Sequence, residues 1–245
     1  MTPTIWEVNT DPGWMLSFLR NRCSARKLRQ FACACCRENW SELSDPTSRA
    51  AVEAAERFID DQILSEELEL AWRHAARIAF QYDDERADPA MAAAYAAYSH
   101  FSPHIRGISN IWISASEEGI FEWTRACMTL FIERPHSPRP IGSYHAQQEM
   151  RRRTYADLLR EVIGNPFRTM KFASDWSHDS VAQLAQAYHH QPDASIPPIL
   201  ADALMERGCD DAELLDHLRS PGPHVKGCWA MDWILESTRS AKESH

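Results

Sequence analysis

Asp45-Pro46 and Asp88-Pro89 each put a carboxylate directly before a proline. That pair opens a helix: the side chain accepts the first free amides, and proline at the first helical position is already set for helical φ. Similar punctuation recurs along the chain. Ser24 precedes Ala25–Leu43, Ser65-Glu66-Glu67 opens a stretch to Tyr82, and Asp45-Pro46 leads one to about Asp61. Asp88-Pro89 leads into Ala90–His100. Gly164-Asn165-Pro166 ends a stretch that begins near His145, and Gly208 follows one that begins at Pro197-Pro198. A glycine after the last turn and a proline beyond it are stop signals. Between these marks the apolar residues repeat at helical spacing, as Leu28, Phe31, Ala32 and Cys35 do.

Only 8 of 245 residues are glycine, too few for the many tight turns of a barrel or sandwich. The expected fold is all-α, an irregular multi-helix bundle of about nine to ten helices. Further helices are expected over Glu117–Ile132, Ser177–His190, Asp210–Arg219 and Lys226–Glu236. Ile105–Ile113 is β-branched, and a short β pair near 105–113 is the alternative there. Pro135, Pro138, Pro140 and Gly142 mark a linker at 135–144. It would join an N-terminal lobe, 1–134, to a C-terminal lobe, 145–245, unless the two pack as one domain.

The formal charge is −9, which disfavours a nucleic-acid coat, because phosphate binding needs a concentrated basic face. Charge is unevenly distributed. Residues 51–100 hold four Arg against eleven acids, whereas Arg20, Arg22, Arg26, Lys27, Arg29 and Arg37 lie in a run without any acid. Ile199–Arg219 has a helix-turn-helix outline, but its second helix carries Glu213 and Asp216, the wrong sign for facing phosphates. No apolar run approaches a membrane span. Met1–Asp11 lacks a signal-peptide pattern, and seven Cys, an odd number, suit reduced thiols. A cytoplasmic protein is the expectation, with no nucleic acid and no membrane among its partners.

Two blocks resemble a known group. One is Thr10-Asp11-Pro12, Met15-Leu16-Ser17-Phe18-Leu19 and Arg26-Lys27-Leu28-Arg29-Gln30-Phe31-Ala32-Cys33-Ala34-Cys35-Cys36-Arg37. The other runs from Leu158-Leu159-Arg160 and Gly164-Asn165-Pro166-Phe167-Arg168 through Leu200-Ala201-Asp202-Ala203-Leu204 and Gly208-Cys209. It ends at Gly222-Pro223-His224-Val225-Lys226-Gly227-Cys228-Trp229. Together they resemble an uncharacterised, paralogue-rich family of bacterial proteins. The resemblance implies one recurring architecture for both blocks and no activity.

Chemistry-bearing residues are few. Gly-rich phosphate loops, Gly-x-Ser-x-Gly and His-Glu-x-x-His are absent. A di-iron bundle needs Glu-x-x-His on two helices. The one instance here, Glu133 to His136, contains Pro135. Cys33 and Cys36 share one side of a helix, where two thiolates start a metal site, or all three early cysteines fill core. Cys209, His217, His224 and Cys228 number four, as a closed zinc site requires, though their spacing is not that of a finger. Otherwise they pack around a Pro-Gly-Pro turn. No cofactor is the first expectation, and zinc is the alternative these residues offer. Nine Trp mostly suit core, with Trp6, Trp14 and Trp176 near segment starts.

Three functional readings follow. The first is a non-catalytic protein-interaction or regulatory module, its partner a protein contacted through Arg26, Lys27, Arg29 and Trp14. The second is a zinc-stabilised helical protein, extending to a metal-dependent hydrolase if one ligand position holds water. The third is a partner in a bacterial defence or toxin–immunity system.

Overall fold

In the computed structural model the described residues are 1–82, 87–98, 117–133, 141–169, 176, 179–222 and 224–243. Twelve helices and no strand occur among them. The segment 105–113, with its alternative β pair, lies outside the described residues, as does Trp112. No helix is long and apolar enough to cross a membrane among the described residues. The chain divides into two compact units, Met1–Leu159 and Arg160–His245. The division falls inside a helix, not at the proline-rich 135–144, of which 135–140 lie outside the described residues.

The first unit begins with two short helices, α1 (Pro3–Val8) and α2 (Pro12–Phe18). Then come α3 (Ala25–Glu38), α4 (Pro46–Ile59), α5 (Ser65–Ala79), α6 (Ala87–Ala96) and α7 (Glu117–Glu133). The long α8 (Ile141–Ile163) runs into the second unit. The caps are local chemistry. Thr2 accepts from the Ile5 amide, Asp11 from Gly13 and Trp14, Ser24 from Lys27, and Asp45 from Thr47 and Ser48. Ser65 is not a cap. Leu64 holds that position without a side-chain bond, and the Ser65 hydroxyl meets Glu66 instead. α3 stops five residues before the expected Leu43, because Asn39 closes it: its Nδ2 donates to the Cys35 carbonyl at 2.7 Å.

Helices α3, α4, α5, α6 and α7 pack on one another around Phe31, Val52, Trp72, Ala93 and Phe131, all essentially without solvent exposure. The α6 run of alanines lets these helices approach closely. Trp72, Tyr95, Tyr98 and Trp123 form one aromatic group with ring centroids 4.5–5.5 Å apart. Arg37 clamps α3 to α4 through two bonds to Glu56, at 2.7 and 2.6 Å.

The second unit holds α9 (Asp179–His190), α10 (Ile196–Glu206), α11 (Ala212–Arg219) and α12 (Trp229–Glu243). Its core gathers Val181, Leu200, Leu204, Leu214, Leu218 and Ile234. Gly208 ends α10 at φ +80°, where only glycine is unstrained. The cap of α11 is Asp211, one residue later than expected, its carboxylate accepting from the Leu214 amide at 3.0 Å. Arg168 reaches the same helix start, bonding Glu213 at 2.8 Å and also Asp211.

Candidate metal centre

Four donor side chains meet in the second unit: Glu161, His217, His224 and Cys228. One ligand atom from each lies within 4.8 Å of the other three. Each arrives from a different piece of local structure. Glu161 is in the last turn of α8, three residues after buried Leu158. His217 is in the last turn of α11. His224 follows the turn at Gly222, where φ is +93°. Cys228 precedes α12, and its carbonyl accepts the first helical bond, from the Asp232 amide at 3.0 Å.

Glu161 and Cys228 are buried, and the two histidines are partly so. Side-chain exposure is 8% for Glu161, 17% for His217 and 7% for His224, and Cys228 is fully buried. His217 Nε2 lies 3.1 Å from Cys228 Sγ and 3.6 Å from Glu161 Oε2. His224 Nδ1 lies 3.4 Å from Glu161 Oε1. Its other nitrogen, Nε2, faces the Ser220 carbonyl at 3.1 Å. A proton on Nε2 donates to that carbonyl and leaves the Nδ1 lone pair turned into the cluster, the arrangement common to metal-bound histidines. The His217 ring packs on Trp229 at 4.8 Å and on His224 at 5.0 Å. Tyr188 donates its hydroxyl to the His224 carbonyl at 2.7 Å, fixing the turn.

Burial and neighbours set the protonation of these groups in the absence of a cation. The Glu161 carboxylate raises the His224 pKa above its ordinary value, mainly by hydrogen bonding. His217 is lowered, burial being the larger cause and Glu161 acting against it. Burial, then the Glu161 charge, pushes the Cys228 thiol well up, while the Ala230 and Met231 amides pull it down. A divalent cation reverses the sign of this field. Thiolate and carboxylate supply two negative charges, two neutral imidazoles supply none, and the buried site becomes neutral overall.

Three of the four residues expected from sequence, His217, His224 and Cys228, are thus together. Cys209 is not with them. It is buried after α10, its sulfur accepting from the Asp211 backbone, and it lies outside the four-donor group. Glu161 takes the fourth position, and the sequence signal for it was an acid on the buried stripe of Tyr155, Leu158 and Val162. Cys33 and Cys36 belong to the first unit. Both are buried, and Cys36 Sγ lies 3.9 Å from Cys127 Sγ. No second group of three or more such donors occurs among the described residues.

The residues expected to form a partner face are dispersed in their roles. Arg29 is 5% exposed and is not a surface residue. Its guanidinium holds the Ala96 and Tyr98 carbonyls at 3.0 and 2.6 Å, where α6 ends, and lies 5.3 Å from the Phe58 ring. Burial lowers its pKa to about 10, which still leaves it charged at neutral pH. Arg26 donates to the Ile59 carbonyl at the end of α4. Lys27 is half-buried, and Trp14 is 51% exposed.

Comparison with known proteins gives no match, whether to a family model, a curated sequence or a solved structure.

Proposed function

We propose that this chain is a non-catalytic helical protein whose C-terminal unit is held together by a bound divalent metal ion. One observation carries the reading: donor atoms of Glu161, His217, His224 and Cys228, from four separate segments, converge within 4.8 Å in a buried setting. Ties between segments distant in sequence stabilise small cores that burial alone leaves marginal. Four protein donors fill a tetrahedral shell, whereas a hydrolytic site keeps one position for water. The low exposure of all four side chains supports the structural role over the catalytic one.

Within this reading the chain works by presenting helical surfaces to a protein partner. Trp14, half exposed on α2, is the contact residue that the first-unit geometry still favours. The test of the metal reading is native mass spectrometry of the whole chain, before and after a strong chelator, with helicity followed in parallel. The expected result is one ion per chain, lost to the chelator together with part of the helicity. The bare chain mass after expression in metal-rich medium overturns the reading.

A further inference from the structure

We infer that the ion is zinc, bound in a closed four-coordinate site through Glu161 carboxylate oxygen, His217 Nε2, His224 Nδ1 and Cys228 Sγ. The inference rests on the metal-binding reading above and adds to it the identity of the ion and the absence of a bound water.

The donor set is the first argument. Two imidazoles, one sulfur and one carboxylate are the ligands of a borderline-soft ion. Magnesium and calcium take oxygen ligands and more of them, six or above. Here only one of the four residues offers oxygen. Spacing is the second argument. Bonds of about 2.0–2.3 Å in a tetrahedron put donor atoms roughly 3.3–3.8 Å apart. The separations are 3.1 Å for His217 Nε2 to Cys228 Sγ, 3.6 Å for His217 Nε2 to Glu161 Oε2 and 3.4 Å for His224 Nδ1 to the other carboxylate oxygen, Oε1. All four donor atoms lie within 4.8 Å of one another, so closing on an ion takes movements of up to roughly an ångström.

The surroundings are the third argument. Cys228 stands just before α12, with the Ala230 and Met231 backbone amides directed at its sulfur. The Ser220 carbonyl orients His224, and the Trp229 ring orients His217. Both first-sphere histidines are thus held by neighbours that do not themselves bind the ion.

The experiment is a cobalt(II) titration of the full chain after chelation, followed by zinc, magnesium or calcium competition. Cobalt(II) is a spectroscopic stand-in for zinc. The expected spectrum has strong visible bands of tetrahedral cobalt and a near-ultraviolet sulfur-to-cobalt charge-transfer band. Both vanish with one equivalent of zinc and survive excess magnesium or calcium. Cys228→Ser removes the charge-transfer band. Glu161→Gln keeps that band and weakens binding by more than the roughly 10–100-fold typical of an outer-sphere partner. Weak octahedral bands without charge transfer, or displacement by magnesium, overturn the zinc assignment and leave a metal site standing. Failure to bind any ion overturns both.

Discussion

At Gly164 the backbone has φ of +74°, and a Cβ there would lie 2.8 Å from Trp229 Cγ. Trp229 in turn packs on His217. A single methyl group therefore strains the end of α8 and pushes the ring that packs on His217. Gly164→Ala is expected to lower stability by about 2 kcal/mol or more and to weaken metal binding. Urea denaturation and cobalt titration of the variant check the two effects separately. Unchanged affinity would show that Trp229 does not position His217. Arg29 makes a residue-scale point in the first unit. Removing its guanidinium strands the Ala96 and Tyr98 carbonyls in a dry site. Arg29→Met is expected to cost about 1–3 kcal/mol by urea denaturation. A charge on a helix reads as surface from sequence. Its partners lie 67 and 69 residues away, so nothing local distinguishes a buried arginine from its solvated neighbours.

At the scale of elements, the helix starts were the most legible feature. Ser24 and Asp45 bond amides two or three residues ahead, so the whole interaction is written in a short window. α1 and α2 carry the same cap-plus-proline signal at Thr2-Pro3 and Asp11-Pro12, yet six and seven residues are too few for a periodic stripe to reveal them. The cap of α11 supports a pH prediction. Burial works to raise the Asp211 pKa, but bonds from the Arg168 guanidinium and the Leu214 amide outweigh it, and the value lies below the ordinary one. A depressed carboxylate stabilises the fold above its unfolded value and loses that contribution as pH falls through the folded one. Wild type should therefore exceed Asp211→Ala by about 1–2 kcal/mol at neutral pH, with the gap shrinking below about pH 4. Chemical denaturation across pH reads it, and a gap that persists in strong acid would assign the effect to packing.

For the whole molecule, the two units carry separate cores, and the four-donor group lies entirely in Arg160–His245. Chelation should shift the melting of that unit while the transition of Met1–Leu159 stays in place. With free ion at 100–1,000 times Kd, the shift corresponds to about 2.7–4 kcal/mol. Calorimetry of the full chain with and without chelator measures it, and equal displacement of both transitions would contradict a metal role confined to one unit. The all-α character, the starts of most helices and the glycines that end two of them, Gly164 and Gly208, were legible along the chain. Those features depend on contacts within a turn or two of helix and on a period visible along the chain. The sequence also brought His217, His224 and Cys228 into one candidate set, because eleven residues and one turn span them. The fourth donor of the cluster is set by how the chain folds in space. Glu161 lies 63 residues before His224 and reaches it from the last turn of α8. Cys209 is nearer along the chain but points into the core. Convergence in space depends on how helices pack, and packing is set by apolar surfaces that share no fixed spacing with the ligands.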